Sequence, residues 1–266
     1  MRYFYTLALG LVLGLTACAG SGSKALKQST QGPVEPTRYT YRVVAQYPHA
    51  VEAYTQGFCF GGDRLWEGTG EYGRSELRTL DLEQGKHTTH HRLPRQEFGE
   101  GVAYLNGLIY QLTWESSICH VYDAATMEKG ADRRYAGEGW GLTTDGEKLY
   151  LSNGSTNIYR INPETFAREA TITVTVKGQP VQYINELEWI DGRIWANVYL
   201  TDELLIIHPQ TGVVEGIVDL TGLLPAAETL PTTDVLNGIA YNPQTKQLLV
   251  TGKRWPKIYE IELVKQ

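Results

Sequence analysis

Helix signals are nearly absent from the 266-residue chain, which points to an all-β fold. Basic excess is absent too. A formal net charge of −6 and a pI near 5.6 leave no basic face for phosphates, which excludes nucleic acid as a partner. The apolar run from Leu7 to Leu15 is too short to cross a bilayer. No glycine-rich phosphate loop precedes a helix. Cysteines number three and histidines six. What remains is a chain with 42% hydrophobic and 20% charged residues, enough apolar material for one sizeable core.

The first residues read as an export signal: one positive charge at Arg2, the short apolar run, then Leu15-Thr16-Ala17-Cys18. That tetrapeptide resembles the bacterial lipobox, in which the cysteine is acylated and becomes the first residue of the mature chain. The expectation is a signal peptide over 1–17, a lipidated Cys18 with a flexible tether over 18–37, and a folded domain over 38–266. The tether's small, polar, proline-punctuated composition cannot bury a core. A lipid anchor then holds the domain on the membrane at the periplasm side of the cell envelope, without a spanning helix.

Five times, an apolar or aromatic stretch runs through a tight turn into an alternating strand. The copies begin at Tyr54, Phe98, Glu138, Ile184 and Val235. With Gly57, Gly101, Gly141, Leu187 and Gly238 as register marks, the intervals are 44, 40, 46 and 51 residues, the length of a four-stranded propeller blade. A five-bladed β-propeller follows. The fifth unit has only three strands before Gln266, so the strand-like segment 39–48 is expected to close the ring as the outer strand of blade 5. In this register Cys59 lies on a first strand and Cys119 on the third strand of the next unit. Strands two apart are already about 9.5 Å distant, against about 7 Å for a bridge, so two buried free thiols are predicted.

Equivalent positions sort the aromatics. Trp66, Tyr110, Tyr150, Trp195 and Leu249 share one place in the second strand, as packing between blades requires. Two other sets vary in kind: Gln56, Glu100, Trp140, Glu186 and Asn237 just before the register mark, and Gly70, Trp114, Gly154, Tyr199 and Lys253 at the end of the second strand. Both should face the mouth of a central funnel. Glu100 is the sharpest residue of these. Aromatic neighbours would desolvate its carboxylate and raise its pKa, whereas Lys253 would lower it. Residues 222–234 form the longest insertion between units and are expected near the same mouth. No histidine belongs to the funnel sets, which speaks against serine or cysteine hydrolysis and against a histidine metal site. All six read as surface or packing residues.

Several motifs together resemble the plant-type glutaminyl cyclases over about residues 40–262. They are Tyr54-Thr55-Gln56-Gly57, Phe98-Gly99-Glu100-Gly101, Trp114, Gly139-Trp140-Gly141, Asn185-Glu186-Leu187-Glu188, Leu236-Asn237-Gly238-Ile239 and Gly252-Lys253 through Trp255-Pro256. The resemblance implies glutaminyl-peptide cyclotransferase activity on peptides or proteins with N-terminal glutamine, a five-bladed propeller, and no metal or other cofactor. It places the acidic catalyst on Glu100, polar groups on Gln56, Asn185 and Lys253, and aromatic walls on Phe98, Trp114 and Trp140. Tyr54 stands where plant members carry phenylalanine and Tyr199 where they carry tryptophan. A monomer is expected.

Two rivals share the fold class. A calcium-dependent, lactonase-like hydrolase would use Glu100, Asn185, Glu186 and Asn237 as hard oxygen ligands, although Lys253 and the aromatics would repel or crowd the ion. A non-catalytic binding propeller is the other, since fold alone licenses no activity.

Overall fold

In a computed structural model, residues 34–266 are described and fall in one unit. The expected signal peptide, Cys18 and most of the tether lie outside the described residues. Apart from one 3-10 turn, Ala226–Glu228, the described chain is strand, turn and loop. It is all-β and propeller-like.

The N-terminal strand β1 spans Thr37–Pro48. Three four-stranded antiparallel sheets follow, each in sequence order. The first contains β2 (Thr55–Gly61), β3 (Arg64–Thr69), β4 (Glu76–Asp81) and β5 (Lys86–Arg92). The second contains β6 (Gly99–Leu105), β7 (Leu108–Thr113), β8 (Ile118–Asp123) and a two-residue β9 (Arg133–Arg134). The third contains β10 (Leu142–Thr144), β11 (Leu149–Ser152), β12 (Asn157–Ile161) and β13 (Arg168–Thr173). A small hairpin, β14 (Thr175–Val176) with β15 (Gln179–Pro180), follows; the repeat pattern gave no sign of it.

The last two units merge. β16 (Ile184–Ile190), β17 (Arg193–Val198), β18 (Glu203–Ile207) and β19 (Val214–Asp219) are joined through β1 to β22 (Lys257–Lys265), β21 (Gln247–Gly252) and β20 (Leu236–Asn242). β1 pairs antiparallel with β22 from Tyr39↔Lys265 to Pro48↔Lys257, and parallel with β19 at Thr37↔Gly216. One segment thus covers two edges that would otherwise expose unpaired backbone groups. Pro48, which has no N–H to give, ends the strand.

The period-2 alternation of the second strands sends the packing set inward. Trp66, Tyr110, Tyr150, Trp195 and Leu249 are all buried between sheets. Trp66 is fully buried with its indole Nε1 donating to Gly61 O at 3.0 Å, and truncation to alanine would cost about 3–5 kcal/mol. Cys59 and Cys119 are buried free thiols, as the strand spacing predicted.

The first strands β2, β6, β10, β16 and β20 pack against one another in cyclic order. Their register glycines make this close approach possible. A Cβ on Gly101 would lie 2.5 Å from Leu142 N, and one on Gly141 would lie 2.1 Å from Asn185 O. No side chain fits there.

Candidate functional site

The pairing of first and second strands slips at the start of four units: between Thr55 and Gly57, Gly99 and Val102, Ile184 and Leu187, and Leu236 and Ile239. These bulges contain Gln56, Glu100, Asn185 and Asn237. An extra residue in one strand re-aims a side chain that strict alternation would point elsewhere. The bulges therefore turn polar groups toward the channel end.

There a cavity of about 300 Å³ is lined by Tyr54, Gln56, Phe98, Glu100, Trp114, Trp140, Asn185, Tyr199 and Lys253. Nine of the eleven pocket residues expected from sequence thus share one wall. Glu186 and Asn237 do not line it. Glu186 is buried deeper, accepting from Phe58 N at 3.2 Å and Ile239 N at 3.0 Å, because the bulge in β16 gives the cavity to its neighbour Asn185. Asn237 stands behind Gln56, its Nδ2 donating to Thr55 O at 2.9 Å and Gln56 Oε1 at 3.4 Å.

Gln56 passes this order on. Its Nε2 donates to Glu100 Oε1 at 3.0 Å, which fixes one carboxyl oxygen and leaves the other to the cavity. Glu100 is 4% exposed. Burial pushes its pKa well above the usual carboxylate range; the Lys253 ammonium opposes the shift and Glu138 adds to it.

Lys253 is 3% exposed, and burial holds its pKa below that of a free lysine, against the pull of Glu100 and Asp234. Its Nζ lies 4.8 Å from the centre of the Tyr54 ring and 5.2 Å from that of Tyr199, so two ring faces hold the charge. Among the described residues this ammonium makes no hydrogen bond, which leaves its three donors for a ligand. Tyr54, unlike a phenylalanine, also donates its hydroxyl to Asp234 Oδ2 at 3.1 Å. That contact ties the end of the 222–234 insertion to the cavity, where Asp234 N also donates to Lys253 O at 3.0 Å.

The aromatic walls are held by groups the sequence reading left unassigned. Glu138 Oε2 accepts from Trp114 Nε1 at 2.8 Å and from Trp140 Nε1 at 2.9 Å, so one carboxylate clamps both indoles. Its place two residues before Trp140 was visible, but only the fold of the turn brings Trp114 to it. Gly70 and Gly154 are seats. A Cβ on Gly70 would meet the Phe98 ring at 2.3 Å, and one on Gly154 the Trp140 ring at 2.6 Å. Phe98 packs edge-on against Tyr54 and Trp114, and Trp140 edge-on against Tyr199.

The histidines stand away from this cavity, but two of them do more than pack. His49 contacts Glu67 Oε1 at 3.0 Å in a buried cluster with Arg78 and Thr55, and His120 lies between Glu97 at 2.6 Å and Asp132 at 2.8 Å. His120 thus links two carboxylates, and His49 links Glu67 to the Trp255 carbonyl.

The glutamine cyclotransferase family model matches residues 13–263. This chain belongs to that family. A glutaminyl-peptide cyclotransferase of Arabidopsis thaliana is 38% identical over 227 residues, covering 83% of this chain and 70% of that protein. The crystal structure of Myxococcus xanthus glutaminyl cyclase superposes with a TM-score of 0.79 at 35% identity, covering 87% of this chain and all of that one. A PQQ-bound aldose sugar dehydrogenase from Streptomyces coelicolor, at 12% identity and a TM-score of 0.58, covers 87% of this chain and all of its own and shares the fold alone.

Proposed function

We infer that this family member is a glutaminyl-peptide cyclotransferase, converting the N-terminal glutamine of peptides or proteins to pyroglutamate with release of ammonia. The observation that carries the reading is one small cavity uniting a buried carboxyl, a buried ammonium and two indoles.

The reaction is intramolecular, so most of the gain comes from holding the α-amine in line with the side-chain amide carbon. Phe98, Trp114 and Trp140 grip the methylenes and exclude water. The neutral amine attacks, the C–N bond of the ring forms, and the carbonyl oxygen takes up negative charge. Lys253 donates to that oxygen, with Gln56 or Asn185 beside it. Glu100 takes the proton from the attacking nitrogen and returns it to the departing amide nitrogen, which leaves as ammonia when its C–N bond breaks. A carboxyl with a raised pKa suits both halves of that transfer. Glu186 and Asn237 act from behind the wall, Asn237 by orienting Gln56. Tyr54 and Tyr199 hold Lys253 by their ring faces.

The scaffold is best read as a five-bladed propeller whose ring is closed by β1 as the outer strand of the fifth blade. The eight-stranded sheet through β1 supports that count. The chain is proposed to be an exported, monomeric lipoprotein, acylated at Cys18 and tethered at the periplasm side of the envelope.

The reaction is proposed to need no metal, because the Lys253 ammonium supplies the positive charge at the carbonyl oxygen. Incubation of purified protein with a glutamine-initiated peptide should release ammonia equally with and without chelator. Chelator inhibition would contradict the metal-free reading and revive a metal at the site, and absence of ammonia would favour the hydrolase or a binding propeller.

A further inference from the structure

The cavity lies at the lower end of small-ligand sites, which run from about 300 to 1,000 Å³, and takes one residue of substrate. The second residue of a peptide has its Cα about 3.8 Å from that of the first, so its side chain must land on the rim.

Just outside the cavity lining, two exposed residues adjoin the wall of Trp140 and Tyr199. Leu200 is 66% exposed and Tyr183 is 49% exposed, and both have left-handed backbones, with φ of +69° and +66°. Leu200 follows the wall residue Tyr199. Tyr183 accepts from Tyr199 N at 2.9 Å and donates to Gly154 O at 2.9 Å, the glycine on which Trp140 is seated. Both backbones are therefore fixed beside the wall formed by Trp140 and Tyr199.

Leu200 is the third residue of a turn closed by Thr201 N donating to Val198 O at 3.1 Å. Glycine is preferred at such a place, since a branched side chain there strains the backbone. The corresponding turn of the last unit, closed by Trp255 N donating to Gly252 O at 3.1 Å, has Arg254 at φ +60°. Arg254 pairs with Glu71, which explains a side chain at that point. Leu200 has no such ion-pair partner, and its side chain is exposed. Beside another wall residue, Tyr72 packs on Phe98, but its hydroxyl donates to Glu115 at 3.2 Å, which gives that place a polar edge.

We propose that Leu200 and Tyr183 form an apolar platform that receives the side chain of the residue following the N-terminal glutamine, so that substrates with a large apolar or aromatic second residue are preferred. The proposal rests on the cyclotransferase reading and adds the class of peptide.

The test compares ammonia release from Gln-Phe and Gln-Gly peptides by the wild type, Leu200→Asn, Tyr183→Asn and the double variant. Asparagine tolerates the left-handed backbone, and thermal melting verifies that each variant is folded. The wild type should favour Gln-Phe by about tenfold in kcat/KM, chiefly through KM, and the double variant should bring the ratio to within about twofold of unity. Equal efficiency of both peptides with the wild type, or an unchanged ratio in the double variant, overturns the platform and leaves the activity standing. Failure of the wild type to act on either peptide overturns the cyclotransferase reading itself.

Discussion

The two ends of the inner strands both carry buried carboxyls with raised pKa values, yet they are built for different ends. At the far end Glu188 accepts from Tyr241 N at 2.9 Å; two residues nearer the mouth on the same strand, Glu186 accepts from two backbone N–H groups behind the cavity wall. Burial raises Glu188 to about 8, with the N–H groups of Tyr241 and Trp189 opposing the shift. At the mouth, Glu100 has a side-chain amide on one oxygen and a cavity before the other. Burial alone does not make a catalyst. Glu188 also borders a cavity, of about 310 Å³, but no cation lines it; a donor-rich ammonium beside the carboxyl is what distinguishes Glu100.

This contrast breaks most sharply at Glu100. Glu100→Gln keeps the shape and the Gln56 contact but ends proton transfer, and kcat for ammonia release should fall by about 10²- to 10⁴-fold. Next is Lys253→Met, which preserves the stem and removes the donors; a loss of about 10²- to 10³-fold in kcat is expected. Because the ammonium lowers the Glu100 pKa, the same variant should move the ionisation seen in the pH profile to higher pH. Glu138→Ala leaves two indole N–H groups without an acceptor, at about 1–3 kcal/mol, and should reduce kcat/KM by about tenfold, mostly through KM. Glu138→Gln retains an acceptor and should lose less. Either change removes a charge that raises the Glu100 pKa, so the profile should shift to lower pH.

The far end should respond in stability and hardly in rate. Glu188 has a folded pKa above its unfolded value, so the native state holds its proton more tightly. Its contribution is complete below about 4.5 and is lost as pH rises through about 8. Glu188→Gln should raise the melting temperature at pH 9 by on the order of 5 °C relative to wild type. At pH 5 the two should melt together, and ammonia release should be within about twofold at either pH.

The register of the repeats made most of the cavity legible, because residues at equivalent places in successive units converge at one end of the inner strands. Gly57, Gly101 and Gly141 mark that register for a steric reason that the structure makes plain. The choice between Asn185 and Glu186 was not legible. A one-residue slip exchanges faces of a strand, and bulges leave no fixed signature in a single chain. Glu138 was missed because its two partners lie 24 and 2 residues away, and only a folded turn brings both indoles to one carboxylate. Gly70 and Gly154 stood in a funnel set beside Trp114 and Lys253, but their function is to be empty, and emptiness shows only once the rings of Phe98 and Trp140 are in place.

Single-turnover formation of pyroglutamate, with enzyme in excess over a glutamine-initiated peptide, separates chemistry from binding and release. Glu100→Gln should bind the peptide within a few-fold of the wild-type Kd and cyclise it at least about a hundredfold more slowly. An unchanged cyclisation rate in that variant would remove Glu100 from the proton path and contradict the account.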